Sequence, residues 1–356
     1  MKRILIMIRN LRAGGGTETY VLTLAQALKQ QGCQVGIYTS GGTWLKFFRK
    51  KGIRLHIASS YKDSQRKLKR VLNQWQYQIV HANDQYSVSL LKTLRARPSR
   101  VIVTVHGKYF KPAAIRKASS LAKAIIAVSP PVYKYAVRCG ARRSQMHLIP
   151  NGVALEKFSP RGSAPFRVKY KFPSDASVIG YAGRFTSRKL PLGIRISRML
   201  RIFQAGRPNV RVMIAGRRAK SYVKASGRCV VPGLVTKMAD FYRSCDIVVG
   251  TGRVALEAMA CGKPVIAVGC GGYIGEVTVN NFKRAAKSNF GDHKDYPAKW
   301  TGARFVKDLN KALWRIKRGK VRTIGIRKQM INRFSGRTMV RKITHLYAKT
   351  RIRSAK

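Results

Sequence analysis

Arg184 and Lys189 stand five positions apart in "GYAGRFTSRKLP", directly after a short apolar run. Two cations at the mouth of a strand suit a diphosphate, because charge-assisted bonds to phosphate oxygens are about twice as strong as neutral ones. With 73 Lys and Arg in 356 residues, chance could place such a pair equally well. A second anion-binding signal is "RAGGGTETYVL", in which Gly14, Gly15 and Gly16 join a strand to a helix. Such a run lets backbone amides approach a ligand, or only makes a tight turn. Thr17 is placed to cap that helix, and Glu18 falls in its first turn, where the helix dipole favours an acid. The third stretch, residues 250–278, reads "GTGRVALEAMACGKPVIAVGCGGYIGEVT" and holds Glu257 and Glu276, two of only 12 acidic residues in the chain. Nearly every position from Arg253 to Cys261 is apolar, so this helix is buried, and Gly262 with Pro264 ends it. A carboxylate there needs a partner, because an unpaired buried charge is very costly. Arg253, four residues earlier on the same face, is one candidate.

These loops need strands and helices to hold them. Short β-branched runs alternate with helical patterns, which predicts parallel α/β units. In the first half the strand candidates are "RILIMI", "QVGIYT", "IRLHIA", "QIVHA", "RVIVTVH", "AIIAVS" and "MHLIP". Between the first two, Tyr20, Leu24, Ala27 and Leu28 recur at helical spacing and Gly32 supplies a stop. "VIGYAG", "NVRVMIAG", "DIVVG" and "PVIAVG" repeat the theme in the second half. Residues 161–176, rich in Pro, Ser and Gly, read as a linker between a domain over 1–160 and another over 177–332. Residues 333–356 read as a last helix, with Ser335 as its cap and Met339, Ile343 and Leu346 on one face to pack back across the first domain. Two doubly wound halves of this kind face a central cleft at the carboxyl ends of their sheets, where ligands of such folds bind.

Composition bounds the possibilities further. A chain of 356 residues with 45% hydrophobic content can bury a large core and exceeds one typical domain. No run approaches the ~18–20 apolar residues of a membrane helix, and "MKRILIMIRN" is too short an apolar run for a secretory signal, so a cytoplasmic protein is expected. The six cysteines are scattered without CxxC or metal-ligand spacing and read as reduced apolar fillers. The net charge of +61 implies attraction to nucleic acid, anionic lipid or acidic polymers. The cations run from Lys2 to Lys356 without an aromatic-interleaved patch, which argues against a dedicated nucleic-acid site. A relative of ordinary charge that was redesigned, or drifted, would show the same pattern, and its surviving carboxylates would then be those with a job.

The order "GGGTE", "VTVHG", "AVS", "LIPNGV", "YAGRFTSRK", "VMIAG", "SCDIVV" and "GRVALEAMACGKPVIAVGCGG" resembles glycosyltransferase family 4, over essentially the whole chain from Met1 to about Tyr347. The resemblance implies the GT-B fold of two Rossmann-like domains, with a nucleotide-sugar donor held mainly by the second and an acceptor facing the first. It implies transfer with retention of anomeric configuration and neither metal nor cofactor, a UDP- or GDP-sugar being the substrate. On the matching positions, Arg184 and Lys189 become donor diphosphate ligands, Gly15 and Gly16 turn amides to the donor phosphates, and Gly252, Gly271 and Gly272 line the donor. His106 matches the family's histidine near the reacting sugar carbon, or is an ordinary strand-end histidine. Glu257 would accept hydrogen bonds from the two ribose hydroxyls. Gly269, Gly271 and Gly272 would form a nest for negative charge, ended by Glu276, which binds a sugar hydroxyl or caps the next helix. Glu18 would fix the glycine loop, and Asn151 with Gly152 would make a structural turn.

One position departs from the family. Many members carry a second glutamate eight residues before the first, where this chain has Val249, so the donor sugar is left open. The function expected is transfer to a surface-polysaccharide or glycolipid acceptor, a carbohydrate or lipid-linked molecule met in peripheral contact with anionic membrane at its inner face. The alternative is a charge-altered or inactive GT-B protein that binds polyanions nonspecifically at low salt.

Overall fold

A computed structural model describes residues 2–12, 15–94, 100–186, 189–293, 300–319 and 323–349. Gly14 therefore lies outside the described residues. The chain divides into two compact units, Met1–Gly152 with Gly336–Lys356, and Val153–Ser335.

Among the described residues, the first unit is built on a seven-stranded sheet in the order β3-β2-β1-β4-β5-β6-β7. Its strands are β1 (Arg3–Met7), β2 (Gln34–Thr39), β3 (Arg54–Ile57), β4 (Ile79–Ala82), β5 (Val101–Val105), β6 (Ala124–Ala127) and β7 (Met146–Leu148). All neighbours pair in parallel. A parallel sheet is covered on both faces, which is why these strands are apolar at nearly every position. Successive side chains still divide by face. Leu5, Met7, Val80, Val101 and Val103 enter one core, while Ile4, Ile6, Ile79, Ile102 and Ile126 enter the other. The second core is closed by two helices, Gly16–Gln30 through Tyr20, Leu24 and Leu28, and Gly336–Lys349 through Met339, Ile343 and Leu346.

A polar thread crosses that apolar core. His81 on β4, wholly buried, bonds through Nδ1 to Tyr347 Oη and through Nε2 to Thr104 Oγ1, each at 2.7 Å. Thr104 Oγ1 lies 3.3 Å from Tyr20 Oη. Burial penalises the imidazolium and lowers the His81 pKa to about 3. The unfolded chain takes up a proton below its ordinary pKa of about 6.5 while the folded chain does not, so stability is complete above that value and falls as pH drops toward 3. At pH 5 the expected loss is about 2 kcal/mol relative to pH 7. His56, lowered to about 4 by burial and then by Arg54 and Lys67, steepens the same slope. Urea unfolding at the two pH values checks this, and His81→Gln, which bonds but does not titrate, should flatten the dependence.

The second unit holds a six-stranded sheet among its described residues, in the order β10-β9-β8-β11-β12-β13. The strands are β8 (Ser177–Ala182), β9 (Val210–Ala215), β10 (Cys229–Gly233), β11 (Ile247–Gly250), β12 (Val265–Gly269) and β13 (Gly272–Glu276), the last antiparallel to β12. Two of these escaped the sequence patterns. "CVVPG" carries Pro232 and makes a register shift against β9, and "GYIGE" has too many glycines to resemble a strand.

The boundaries also differ from those expected. The first unit ends at Gly152 and resumes at Gly336, not at 160 and 333. The expected linker 161–176 belongs to the second unit. Its helix Pro165–Lys169 and the aromatic side chains of Phe166, Tyr170 and Phe172 pack on that unit's core, and Arg167 pairs with Asp246 at 2.5 Å. Apolar burial, which Pro and Gly content does not report, decided the division. Val153 N donates to Phe334 O at 2.7 Å beside a parallel bridge from Val153 to Ser335, so the chain enters and leaves this unit side by side.

The scarce carboxylates are mostly committed. Asp84 caps the helix Gln85–Lys92 through Ser87 N and also accepts from Arg9 N, Asp246 accepts from Val178 N as well as from Arg167, and Asp308 accepts from Tyr273 Oη at 2.6 Å. No helix among the described residues is long and apolar enough to cross a membrane.

Candidate functional site

In a doubly wound sheet, ligands bind beyond the strand carboxyl ends where the order reverses. In the second unit that point lies between β8 and β11. The loop after β8 is anchored by Phe185, fully buried, whose N donates to Arg217 O at 3.2 Å. Arg184 beside it is left exposed. Lys189 stands at the start of the helix Leu190–Ala205. The loop after β11 passes through Gly252, whose φ of +55° suits glycine, into the helix Arg253–Ala260.

Between these strand ends sits a turn that the sequence reading overlooked. Asn289, Phe290 and Gly291 all have positive φ. Thr251 Oγ1 donates to Phe290 O at 2.7 Å, Gly252 N to Asn289 O at 3.1 Å, and Gly271 N to Gly291 O at 2.9 Å. The turn delivers Asp292, whose Oδ1 meets Lys189 Nζ at 2.5 Å. A Cβ added to Gly252 would lie 3.6 Å from Asp292 Oδ2. Burial raises the Asp292 carboxyl, but Lys189, His293 and Arg184 outweigh it and leave the group below the usual carboxylate value. Cys270, exposed on the β12–β13 turn, responds to the same charges: burial raises its thiol and Lys189 and Arg184 oppose that rise. Arg184, Lys189, Gly252, Cys270 and Asp292 thus form one cluster.

Glu257 is 6% exposed. Its Oε1 accepts from Arg253 Nη2 at 2.9 Å and Nε at 3.2 Å, and its Oε2 from Tyr242 Oη at 3.0 Å. The partner expected on its own helix is present, and Tyr242 adds a second from outside the motif. Three of the roughly four acceptor positions of a carboxylate are in use, so accepting two ribose hydroxyls would require one of these bonds to give way.

The expected glycine nest is corrected. Residues 269–276 are mainly the β12–β13 hairpin, Gly272 opens β13 with φ +146°, and the Gly271 amide is spent on Gly291. Glu276 does not cap the next helix. Its Oε1 accepts from Arg315 Nη1 at 2.7 Å, which ties β13 to the helix Gly302–Lys317. Val249 is wholly buried among the apolar residues of β11's neighbours and offers nothing to a ligand.

In the first unit the strand order reverses between β1 and β4. Gly15 is the cap residue of the helix Gly16–Gln30 and no side chain caps it, so Thr17 does not take that part; its Oγ1 lies 3.4 Å from Tyr109 Oη. A Cβ on Gly15 would fall 1.8 Å from Glu18 Oε2, so glycine is what lets this acid fold back over the helix start. His106 follows β5, packs edge-on against Tyr20 with ring centroids 4.7 Å apart, and reaches Asn83 Oδ1 at 3.1 Å. The Asn83 amide nitrogen donates to the carbonyls of His81 at 3.1 Å and Met7 at 3.4 Å, so its oxygen accepts and His106 Nε2 carries a proton. Asn83, fully buried, was visible in the sequence only as a polar residue ending an apolar strand. No group of three or more His, Cys, Asp or Glu among the described residues could hold a metal ion.

Two family models match the chain, Glycosyltransferase Family 4 over residues 14–157 and Glycosyl transferases group 1 over residues 176–292. The D-inositol 3-phosphate glycosyltransferase of Mycolicibacterium smegmatis is 30% identical over 154 residues, covering 37% of this chain and 34% of that protein. The chain thus spans about a third of the length of the curated relatives it matches. A glycosyltransferase from Rickettsia africae superposes with a TM-score of 0.76 at 20% identity, covering 99% of each chain. Anabaena HepE, solved in complex with UDP-glucose, superposes with a TM-score of 0.74 at 18% identity, over 98% of this chain and 100% of that one. The shared architecture is the GT-B fold of two Rossmann-like α/β units. A glycosyltransferase model thus answers to each unit, Glycosyltransferase Family 4 to the first and Glycosyl transferases group 1 to the second, and the pair is consistent with glycosyltransferase family 4.

Proposed function

We propose that the protein is a retaining, metal-independent glycosyltransferase that moves a sugar from a UDP- or GDP-sugar to a surface-polysaccharide or glycolipid acceptor. The observation that carries this is the placement of exposed Arg184 and half-buried Lys189 at the switch point of the second sheet, next to Gly252. As the glycosidic bond breaks, negative charge builds on the departing diphosphate, and fixed cations stabilise it more than they stabilise the bound donor. In the first unit, His106 serves the reacting sugar, with Asn83 and Tyr20 holding its ring. Gly15 and Gly16 offer backbone amides at the helix start as phosphate ligands, with no Cβ of their own to cover them, and Glu18 fixes that loop. The complexes of Anabaena HepE with UDP and with UDP-glucose support a nucleotide-sugar donor.

Thermal unfolding with UDP, GDP and their sugars tests the reading. A true ligand at a hundredfold excess over its Kd should stabilise the second unit by about 2.7 kcal/mol. Donor hydrolysis or transfer should follow for that nucleotide alone, and stabilisation by none of them would refute the donor site. The net charge of +61 favours a second property, peripheral contact with anionic membrane and polyanion binding. Such binding should weaken steeply with salt, through counterion release.

A further inference from the structure

Lys189 already has an anion within the chain. Asp292 Oδ1 lies 2.5 Å from Nζ, and both side chains keep about a quarter of their surface in solvent, 28% and 21%. The turn that presents the acid is tied down on every side: Thr251, Gly252 and Gly271 all donate to its carbonyls. Asp292 is thus fixed, within reach of whatever Lys189 and Arg184 hold. With 73 cations against 12 acids, this chain had ample means to leave Lys189 unopposed.

The consequence rests on the donor reading above and follows from charge. A nucleotide sugar carries one negative charge on each of its two phosphates. In transfer the sugar C1–O bond breaks, its electron pair stays on the β-phosphate oxygen, and the acceptor oxygen bonds to C1 while its proton passes to solvent. The nucleoside diphosphate left behind bears a third charge at neutral pH, because a terminal phosphate has a second pKa of about 6. A carboxylate beside the subsite repels that product more than the donor.

We propose that Asp292 is a specificity-determining residue of the diphosphate subsite, favouring the dianionic nucleotide sugar over the trianionic nucleoside diphosphate and so speeding product release. Lys189 is shared between Asp292 and the ligand phosphates. A purely structural ion pair would hold the turn and affect both ligands alike.

Titration calorimetry of the full chain at pH 7.5 with UDP and with UDP-glucose separates these. Asp292→Asn should tighten UDP roughly three- to tenfold more than UDP-glucose, as expected for one unit charge at several ångströms in a partly solvated site. Asp292→Glu should keep the original ratio, and Asp175→Asn, an exposed acid elsewhere in the unit, should change neither ligand. Equal shifts for the two ligands in Asp292→Asn, or selective weakening of UDP, would overturn the proposal. Thermal unfolding of each variant shows that the fold is retained, and Asp292→Ser repeats the measurement if Asn does not fold. Failure of the unaltered protein to bind UDP, GDP or the sugars of either would instead overturn the donor reading itself, and binding of GDP alone moves the same comparison to GDP and its sugar.

Discussion

Arg184→Ala is expected, on the proposed donor role, to slow sugar transfer by about 10²–10³-fold, or 2.7–4 kcal/mol, the range for removing one preorganised group from developing transition-state charge. The side chain is exposed, so the fold should be unaffected and the loss should fall on kcat and kcat/KM together, as for an interaction made mainly in the transition state. Lys189→Ala should lose as much activity and some stability besides, because Asp292 then lacks its partner. Arg198→Ala, an exposed cation on the helix Leu190–Ala205, serves as the control for bulk charge. If Arg198→Ala and Arg184→Ala proved equally slow in single-turnover assays, only net charge would be at work and the phosphate role would be withdrawn.

Removing Glu257 acts first on the fold. Arg253 and Glu257 have side chains 12% and 8% exposed, and breaking such a buried pair from one side costs about 3–5 kcal/mol because the other charge is stranded. Glu257→Leu is therefore expected to unfold the second unit at markedly lower urea, with the Tyr242 hydroxyl also losing its acceptor. Replacing both ends, Arg253→Leu with Glu257→Leu, removes the stranded charge and should recover most of that loss. The double variant also isolates the ribose question. If Glu257 exchanges Tyr242 or Arg253 for a ribose hydroxyl, the double variant loses its preference for UDP over 2′-deoxy-UDP; an unchanged ratio by calorimetry would leave Glu257 as a structural acid alone.

What the sequence disclosed depended on how far apart the interacting residues lie. The strands of the first unit were legible because a buried parallel strand is apolar at nearly every position, as in "RILIM" and "VIVTV". The Arg253–Glu257 pair was legible because its members are four residues apart on one helix. Asp292 was not, since its partner Lys189 is 103 positions away and no local pattern joins them. Only its rarity, one acid of 12, could have drawn attention to it. Tyr242, 15 residues before Glu257, escaped for the same reason. The glycines after β12 misled in the opposite way. Their spacing suited a nest, but a distant carbonyl, that of Gly291, had taken the Gly271 amide.

The return of the chain from Ser335 into the first unit sets an order of events at the ribosome. Residues 1–152 emerge with the core face beneath the helix Gly16–Gln30 incomplete, because Met339, Ile343, Leu346 and Tyr347 have not yet been made. His81 likewise waits for Tyr347, its Nδ1 partner. All of residues 153–335 must be synthesised first, which takes roughly 10–40 s at about 5–20 residues per second. The second unit is continuous in sequence and can close by itself during that interval. Its folding brings Val153 and Ser335 together and so delivers the last helix to the place where the first unit needs it. A nascent chain of this protein is therefore expected to close its second unit before its first, the apolar face under the helix Gly16–Gln30 staying uncovered until the helix Gly336–Lys349 is made.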